Sequence, residues 1–519
     1  MGRIGGPLRY LLGFDIGTYS SKGVLVDEHG SVVASHAIEH ALELVRPGWA
    51  EHDAEAAWWH GFLETTKTLL LTSGIPARQI VAVGLSAISP AVLPIDRHGM
   101  PLRKAILYGI DTRATSEAAD LQVATDEDPA LAAYGVRFSA QSAAPKVLWI
   151  RRNEPDVWKQ TRQVVCGSGF LLHRLTGENT LDVYSAVSYA PFVDADALDW
   201  RPEVEDYVAD RSILPRLTWT CEVAGRISKE GAQPSGLAEG TPIITGTADA
   251  AAEAISAGLA HTGDLMVMYG SSIFLIQRTS ELRKTTSFWS APFLERNTFV
   301  LTGGMATGGS LTRWFRDQFA PIELQVEKSG EENAYVALAR LAETAPPGSN
   351  GLVMLPYFAG ERTPILDPLA KGVLFGLGLG HTRADVYRAL LEGVGFGIAH
   401  NLELMREVGS APTRILAVGG GSRNKVWMQI VSDICNVTQH IPDSQLGASY
   451  GDAFLAGVGV GMYSGISEVK RWVRTKEEVR PDPAAHSRYL QYYPIYRELY
   501  KSTADLMHRI SAIEIPEEG

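Results

Sequence analysis

Tyr10-Leu11-Leu12-Gly13-Phe14-Asp15-Ile16-Gly17-Thr18-Tyr19-Ser20-Ser21-Lys22-Gly23-Val24-Leu25-Val26-Asp27 reads as a buried hairpin. Tyr10 to Phe14 is an apolar run of strand length, Asp15 to Ser21 a polar bend containing glycine, and Lys22 to Asp27 the return strand. Glu28-His29-Gly30 closes it, and Ser31 to His36 has the composition of a third strand. The pattern recurs about 250 residues later, and duplication of one architecture is a reading of such self-similarity. There Leu265 to Tyr269 is the strand, Gly270-Ser271-Ser272 the bend and Ile273 to Ile276 the return.

Between the hairpins the chain alternates helical and strand patterns, which predicts an α/β fold. Asp53 to Leu71 carries apolar residues at helical spacing, and Ile80 to Leu85 is a buried-type strand. Ala114 to Val164 reads as mainly helical with a break at Asp126-Glu127-Asp128. Pro191 to Pro234 is rich in turns. Thr241 to Thr245 predicts a strand and Asp249 to Leu259 a helix. A division into lobes falls near Ser256, giving 1–255 and 256–519. Thr382 with Asp385 fits a capping box before a long helix. Arg414 to Val418 predicts a strand, followed by Gly419-Gly420-Gly421 and a helix through Cys435. The tail beyond Ile515 has no anchoring pattern and is expected to fray.

Composition narrows the function classes. The chain has 519 residues, a formal net charge of -12, and 45% hydrophobic and 20% charged residues. The acidic balance argues against a general nucleic-acid binder. Cys166, Cys221 and Cys435 are odd in number and far apart, so neither a disulfide framework nor a zinc site is suggested. No segment is long and apolar enough to span a membrane, and the N-terminus lacks the apolar core of a signal peptide. These features together predict a cytoplasmic protein without a membrane or nucleic-acid partner.

Candidate chemistry lies at the turns. A phosphate needs backbone N–H donors unobstructed by side chains, and Gly17-Thr18 and Gly270-Ser271-Ser272 offer them; either taken singly reads first as an ordinary hairpin turn, and it is the two together, each after a buried strand, that suggest phosphate-gripping turns. Asp15, where the first strand enters its bend, is a candidate partner for Mg²⁺ through water or an Asx-turn residue. Lys22 either reaches a phosphoryl group or is a solvated strand residue. Asp249 follows Gly246-Thr247-Ala248 at the start of a helix, where it is either a general base for phosphoryl transfer or a helix N-cap. Gly419-Gly420-Gly421-Ser422 lets backbone approach a nucleotide closely. Gly303-Gly304 and Gly308-Gly309-Ser310 form another glycine-rich stretch before a helix. No P-loop is present. Gly447-Ala448-Ser449-Tyr450-Gly451 matches the hydrolase elbow only by spacing, because no apolar strand precedes it.

The ordered set of these segments resembles the FGGY carbohydrate kinases, and among them the xylulokinase-like branch, from about Leu11 to Gly461. Phe14 to Lys22 resembles the first phosphate motif and Tyr269 to Ser272 the second. Pro47-Gly48-Trp49-Ala50-Glu51-His52-Asp53 with Trp58-Trp59 resembles a segment typical of xylulokinases. Gly246 to Ala250 resembles the block carrying the catalytic aspartate, which falls on Asp249. Gly419 to Asn424 with Trp427, Gln429 and Asp433 resembles the adenosine segment, and Gly447-Ala448 with Gly451-Asp452-Ala453 the small-residue block that closes its pocket.

The resemblance implies a two-lobed actin-like ATPase (ribonuclease H-like) fold with a central cleft. It also implies ATP with Mg²⁺ as phosphoryl donor and a small sugar or polyol, such as a pentulose, as acceptor. The residues it implies for the nucleotide are Gly17, Thr18, Lys22, Gly270, Ser271, Ser272, Gly308, Gly419, Gly420, Gly421, Ser422 and Asn424. Asp15 is implied for the metal. Ser89, Pro90, Asp111, Arg113 and Asp249 are implied for the acceptor. Xylulokinases usually carry Gln-Met-His where this chain has Ile88-Ser89-Pro90, which separates its acceptor from a simple assignment to D-xylulose. A catalytically inactive binder of the same fold is the alternative, and a homodimer is compatible with the reading.

Overall fold

The computed structural model describes residues 8–443 and 446–513. The readings made on the extreme N-terminus and on the tail beyond Ile515 fall outside that range. By packing, the chain forms two compact units. The first is Met1–Ala260 with Ala291–Thr298 and Leu446–Val473; the second is His261–Ser290 with Phe299–Gln445 and Arg474–Gly519. A single division near Ser256 therefore leaves out the return of Leu446–Val473 to the first unit.

The first unit is built on strands β1 (Tyr10–Ile16), β2 (Ser20–Asp27), β3 (Val32–Glu39), β4 (Ile80–Ala87), β5 (Val223–Arg226), β6 (Pro242–Ile244) and β7 (Thr247–Ala248). The sheet order is β5-β6-β4-β1-β2-β3, with β7 also paired to β4. β1, β2 and β3 form an antiparallel meander, whereas β4 lies parallel to β1, β6 and β7. Leu11, Leu12, Phe14 and Ile16 are all buried. This is why β1 reads as an unbroken apolar run: both of its faces are covered.

Asp53 accepts hydrogen bonds from the amides of Glu55 and Ala56 and so caps the next helical stretch. Its first turn, Ala54–Trp59, is a wide π turn, followed by α1 (His60–Ser73). Gly74 ends α1 in the left-handed conformation at φ 67°, as helix C-termini favour. The stretch from Ala114 is helical as expected. The acidic break falls where Asp128 caps the helix that begins at Pro129.

Helix α2 is Asp249–Ser256 and α3 is Ala448–Gly459. α3 lies directly on β1 and β4 because those strands have glycine where it crosses them. A Cβ on Gly13 would stand 1.9 Å from the Ser449 carbonyl oxygen, and one on Gly84 would stand 2.1 Å from that of Asp452. Ala453, Phe454 and Leu455 of α3 are fully buried. That apolar face explains why the segment belongs to the first unit.

The second unit repeats the plan with β8 (Asp264–Tyr269), β9 (Ile273–Thr279), β10 (Phe299–Met305), β11 (Arg414–Val418), β12 (Gln439–Pro442) and β13 (Thr475–Val479). The order is β10-β9-β8-β11-β12-β13, with the short edge strand Trp289–Pro292 paired to the outer side of β10. Again a meander (β8, β9, β10) precedes parallel strands (β11, β12) and an antiparallel edge. The duplication read from the two hairpins is thus a duplication of whole sheets, as the actin-like ATPase fold requires. The helix Arg383–Glu407 starts with the expected capping box: Asp385 accepts from the Thr382 amide at 2.7 Å. Among the described residues no helix is long and apolar enough to cross a membrane.

Candidate functional site

The register of three strands assembles the site in the first unit. Asp15 pairs with Ser86, and Thr247 pairs with the same Ser86 from the other side. β1, β4 and β7 run parallel, so their C-terminal ends lie together. There the chain continues as Gly17-Thr18 after β1, Ile88-Ser89 after β4 and Asp249 after β7. Side chains at the C-terminal ends of parallel strands face the crevice where open α/β sheets hold ligands.

Asp249 is the first residue of α2 rather than its cap. Ala248 occupies the cap position, and no side chain caps the helix. The N-cap alternative is therefore not the one observed. The Asp249 carboxylate is half-buried and, among the described residues, accepts only from the neighbouring Ala250 amide, at 2.7 Å. The strand before it is held by Asp182, which is 2% exposed. Asp182 accepts from the hydroxyls of Thr247 (2.7 Å) and Thr220 (2.9 Å).

Asp15 is buried and takes no part in an Asx-turn; its Oδ1 is 3.0 Å from Ser86 Oγ. The same hydroxyl lies 2.6 Å from Oδ2 of Asp452 on α3. One hydroxyl carries one proton. For both contacts to be hydrogen bonds, one of the two carboxyls must hold a proton as well. Asp452 is 1% exposed and its Oδ1 has no hydrogen-bond partner among the described residues. Burial, followed by the charge of Asp15, pushes its carboxyl well above the usual range. Glu253, one turn along α2 from Asp249, is raised to about 7 by burial and then by Asp15, with Lys22 opposing. Asp15 itself is raised to about 6 by burial, against the Ser86 hydrogen bond and Lys22. Asp249 is raised by burial and by Asp15. The Asp15 charge raises Asp249, Glu253 and Asp452 because a like charge nearby disfavours the ionised form. Lys22 pairs across the hairpin with Asp15 and its side chain is exposed.

The first turn is closed by Gly17 N–H donating to Ser20 O at 2.9 Å. The Thr18 and Tyr19 amides have no intramolecular partner among the described residues. The Thr18 hydroxyl meets the Tyr108 hydroxyl at 2.9 Å, and Thr18 O accepts from His52 at 3.0 Å.

In the second unit Gly270 N–H donates to Ser272 O. Gly308, Gly309 and Ser310 donate their amides to Ser271 O, Gly270 O and Ser271 O. Gly308 thus braces the second turn, and its own N–H is spent. Gly419 adopts φ 87° and passes close to Tyr269, where a Cβ would stand 2.9 Å from its carbonyl oxygen. Gly420 faces open space, and Ser422 Oγ donates back to Gly419 O at 2.8 Å. Asn424 Oδ1 caps the helix Lys425–Cys435 by accepting from Trp427 N–H. Its oxygen is committed there. Gln429 donates to Asp433 at 2.7 Å, and Trp427 is buried against Tyr269.

Two sequence-predicted acceptor residues form a closed pair. The side chains of Asp111 and Arg113 are both 0% exposed and paired to one another at 2.7 Å. Arg113 also bonds Glu51 and stacks on Trp49, and Asp111 accepts from the Ala50 amide. With both side chains enclosed, this pair ties together the Trp49 and Asp111 loops. Ser89, beyond the end of β4, is half-exposed, while Pro90 is buried. Ser449 of the elbow-like pattern is 1% exposed, which removes it as a nucleophile.

Sequence reasoning missed Ser86, Glu253, Asp452, His52 and Tyr108. The spacing of Asp249 and Glu253, four apart on a helix, was a usable signal. Ser86 becomes visible only from strand register, and Asp452 only once α3 is seen to dock on β1.

Among the described residues no three His, Cys, Asp or Glu side chains converge as a metal-ligand set. A Mg²⁺ ion near Asp15 would take most of its ligands from water and phosphate, as this ion favours. The mutually repelling carboxyls fit such a cation, whose charge would relieve them.

Comparison with known proteins bears on family and fold. Residues 10–256 match the model of the N-terminal domain of the FGGY family of carbohydrate kinases, and residues 265–460 that of its C-terminal domain. A solved structure of xylulose kinase from Rhodospirillum rubrum is 31% identical, with a TM-score of 0.88 over 96% of this chain and 100% of that one. Xylulose kinase of Staphylococcus epidermidis is 28% identical over 506 residues, 96% of this chain and 97% of the relative. Gluconokinase of Bacillus subtilis is 27% identical over 497 residues, 94% and 95% of the two chains. The chain therefore belongs to the FGGY family of carbohydrate kinases, enzymes that transfer a phosphoryl group from ATP to an alcohol.

Proposed function

We propose that this kinase phosphorylates a pentulose, such as xylulose or ribulose, or a related polyol, with Asp249 as general base. The observation that carries the reading is the placement of Asp249. It is half-exposed at the junction of β7 and α2, released from capping, and beside the buried Asp15. In the proposed reaction an acceptor hydroxyl attacks the γ-phosphorus in line. The new P–O bond forms as the bond to the β-phosphate oxygen breaks, and ADP leaves. Asp249 takes the hydroxyl proton. The raised pKa of Asp249 makes its carboxylate a better proton acceptor than an ordinary one.

Gly17 and the Thr18 and Tyr19 amides are assigned to phosphate, as are Gly270, Ser271 and Ser272. Gly419, Gly420, Gly421 and Ser422 are assigned to the nucleoside. Lys22 offsets charge beside Asp15. Mg²⁺, held by Asp15 through water, supplies neutralisation of phosphate charge when bound. Ser89 is the acceptor-side residue retained from the sequence reading. The likeness to xylulose kinases and a gluconokinase supports a small, open-chain polyhydroxylated acceptor.

A coupled assay of ADP release with MgATP tests this across pentuloses, hexuloses, tetritols, pentitols and gluconate. ADP release dependent on a pentulose or polyol is expected. Release with gluconate alone removes the pentulose assignment, and no release with any of them favours the inactive-binder alternative.

A further inference from the structure

We propose that His52 is a positioning residue for the first phosphate turn, with Trp58 fixing which of its ring nitrogens carries the proton. This rests on the reading of Gly17-Thr18 as a phosphate turn. Both side chains are fully buried, at 0% exposure. The Trp58 indole Nε1–H points to His52 Nδ1 at 3.1 Å. An indole nitrogen only donates, so Nδ1 must present its lone pair. The neutral ring then carries its proton on Nε2, and that N–H donates to Thr18 O at 3.0 Å. A second proton on the ring would set two N–H groups against one another at Trp58. Burial and the nearby His40 ring already hold His52 down at about 4.

The consequence lies in the peptide that joins Thr18 to Tyr19. In a planar trans peptide the carbonyl and the following N–H point in opposite directions. Drawing Thr18 O inward to His52 therefore aims Tyr19 N–H away from His52. That amide has no intramolecular partner among the described residues, and Tyr19 is 66% exposed. The Gly17-to-Ser20 hydrogen bond closes the turn around it. The chain from His52 to Trp58 is set by Asp53, whose cap starts the helical turn that brings the indole back over the imidazole. The segment Glu51-His52-Asp53 with Trp58 thus gains a physical role: it orients a backbone donor toward an anion.

The side chain needed is one that accepts at one end and donates at the other, which a glutamine amide also does. His52→Gln should keep the turn, and His52→Met, similar in bulk but lacking both functions, should lose it. The readouts are hydrogen exchange over residues 17–20 and the Kd values of a non-hydrolysable ATP analogue with Mg²⁺ and of AMP.

For His52→Met we expect faster exchange and an analogue Kd raised about tenfold, the scale of one hydrogen bond lost. The AMP Kd should be unchanged, and both effects should be restored by Gln. Faster exchange without a change in analogue Kd upholds the positioning and removes the phosphate assignment. Unchanged exchange in His52→Met, or a Gln variant as impaired as Met, overturns the proposal. Should His52→Met not fold, Trp58→Phe carries the test. It keeps an aromatic ring but frees the imidazole tautomer, and wild-type exchange and Kd in that variant overturn the proposal.

Discussion

Replacing Asp182 by Ala probes how β7, the strand that leads into Asp249, is held. Asp182 is assigned no ligand contact, yet three groups converge on it: the hydroxyls of Thr247 and Thr220 and, at 3.3 Å, the Ser185 amide. Removing the carboxylate orphans these buried donors, at about 1–3 kcal/mol each when no other partner is found. Part of that is offset, because burial disfavours the Asp182 charge and raises its pKa. A net loss of about 3 kcal/mol remains, which at about 2 °C per kcal/mol lowers the melting temperature by about 6 °C. Thr247 lies two residues before Asp249. A displacement of β7 by about 1 Å would cost about a hundredfold in kcat. Thr247→Val, which loses one hydroxyl bond, should cost only about 1 kcal/mol. Differential scanning calorimetry and the coupled ADP assay on both variants read these effects. Wild-type melting and turnover in Asp182→Ala would refute the reasoning. A stability loss with normal turnover would detach Asp182 from the placement of Asp249.

Arg113→Ala leaves Asp111 as a buried, unpaired charge. It should lose about 3–5 kcal/mol of stability while the folded enzyme keeps its acceptor KM; a raised KM at unchanged stability would return the pair to the acceptor site. Glu253 has a folded pKa of about 7 against 4.5 when unperturbed. The folded state therefore binds the extra proton between those values, and stability from this group falls as pH rises through that window. Glu253→Gln should flatten this part of the stability–pH curve of the metal-free protein. An unaltered curve would show that Glu253 is not perturbed.

The elements of the fold were legible where the chain is fully buried or sharply punctuated. β1, β8 and β11 are apolar runs because parallel strands are covered on both faces. The Thr382 cap and the Gly419 turn are local devices that the sequence displays directly. Asp249 was legible for the same reason, standing at a strand–helix junction among small residues. What was hidden depends on long-range register. Ser86 is an unremarkable strand residue until β1 and β7 pair on either side of β4. Asp452 sits in a small-residue block whose docking depends on Gly13 and Gly84, hundreds of positions away. The partners of Asp111 and Arg113 were not legible either, because a charged pair reads the same in sequence whether it faces a ligand or packs against a tryptophan and another carboxylate, as Arg113 does.

The central claim is that Asp249 takes the proton from the acceptor hydroxyl. Single-turnover phosphoryl transfer by Asp249→Asn, with the best acceptor from the panel and saturating MgATP, tests it most directly. The account predicts a rate lowered at least about a hundredfold, with the melting temperature and the Kd of the ATP analogue nearly unchanged. Transfer at close to the wild-type rate would contradict it.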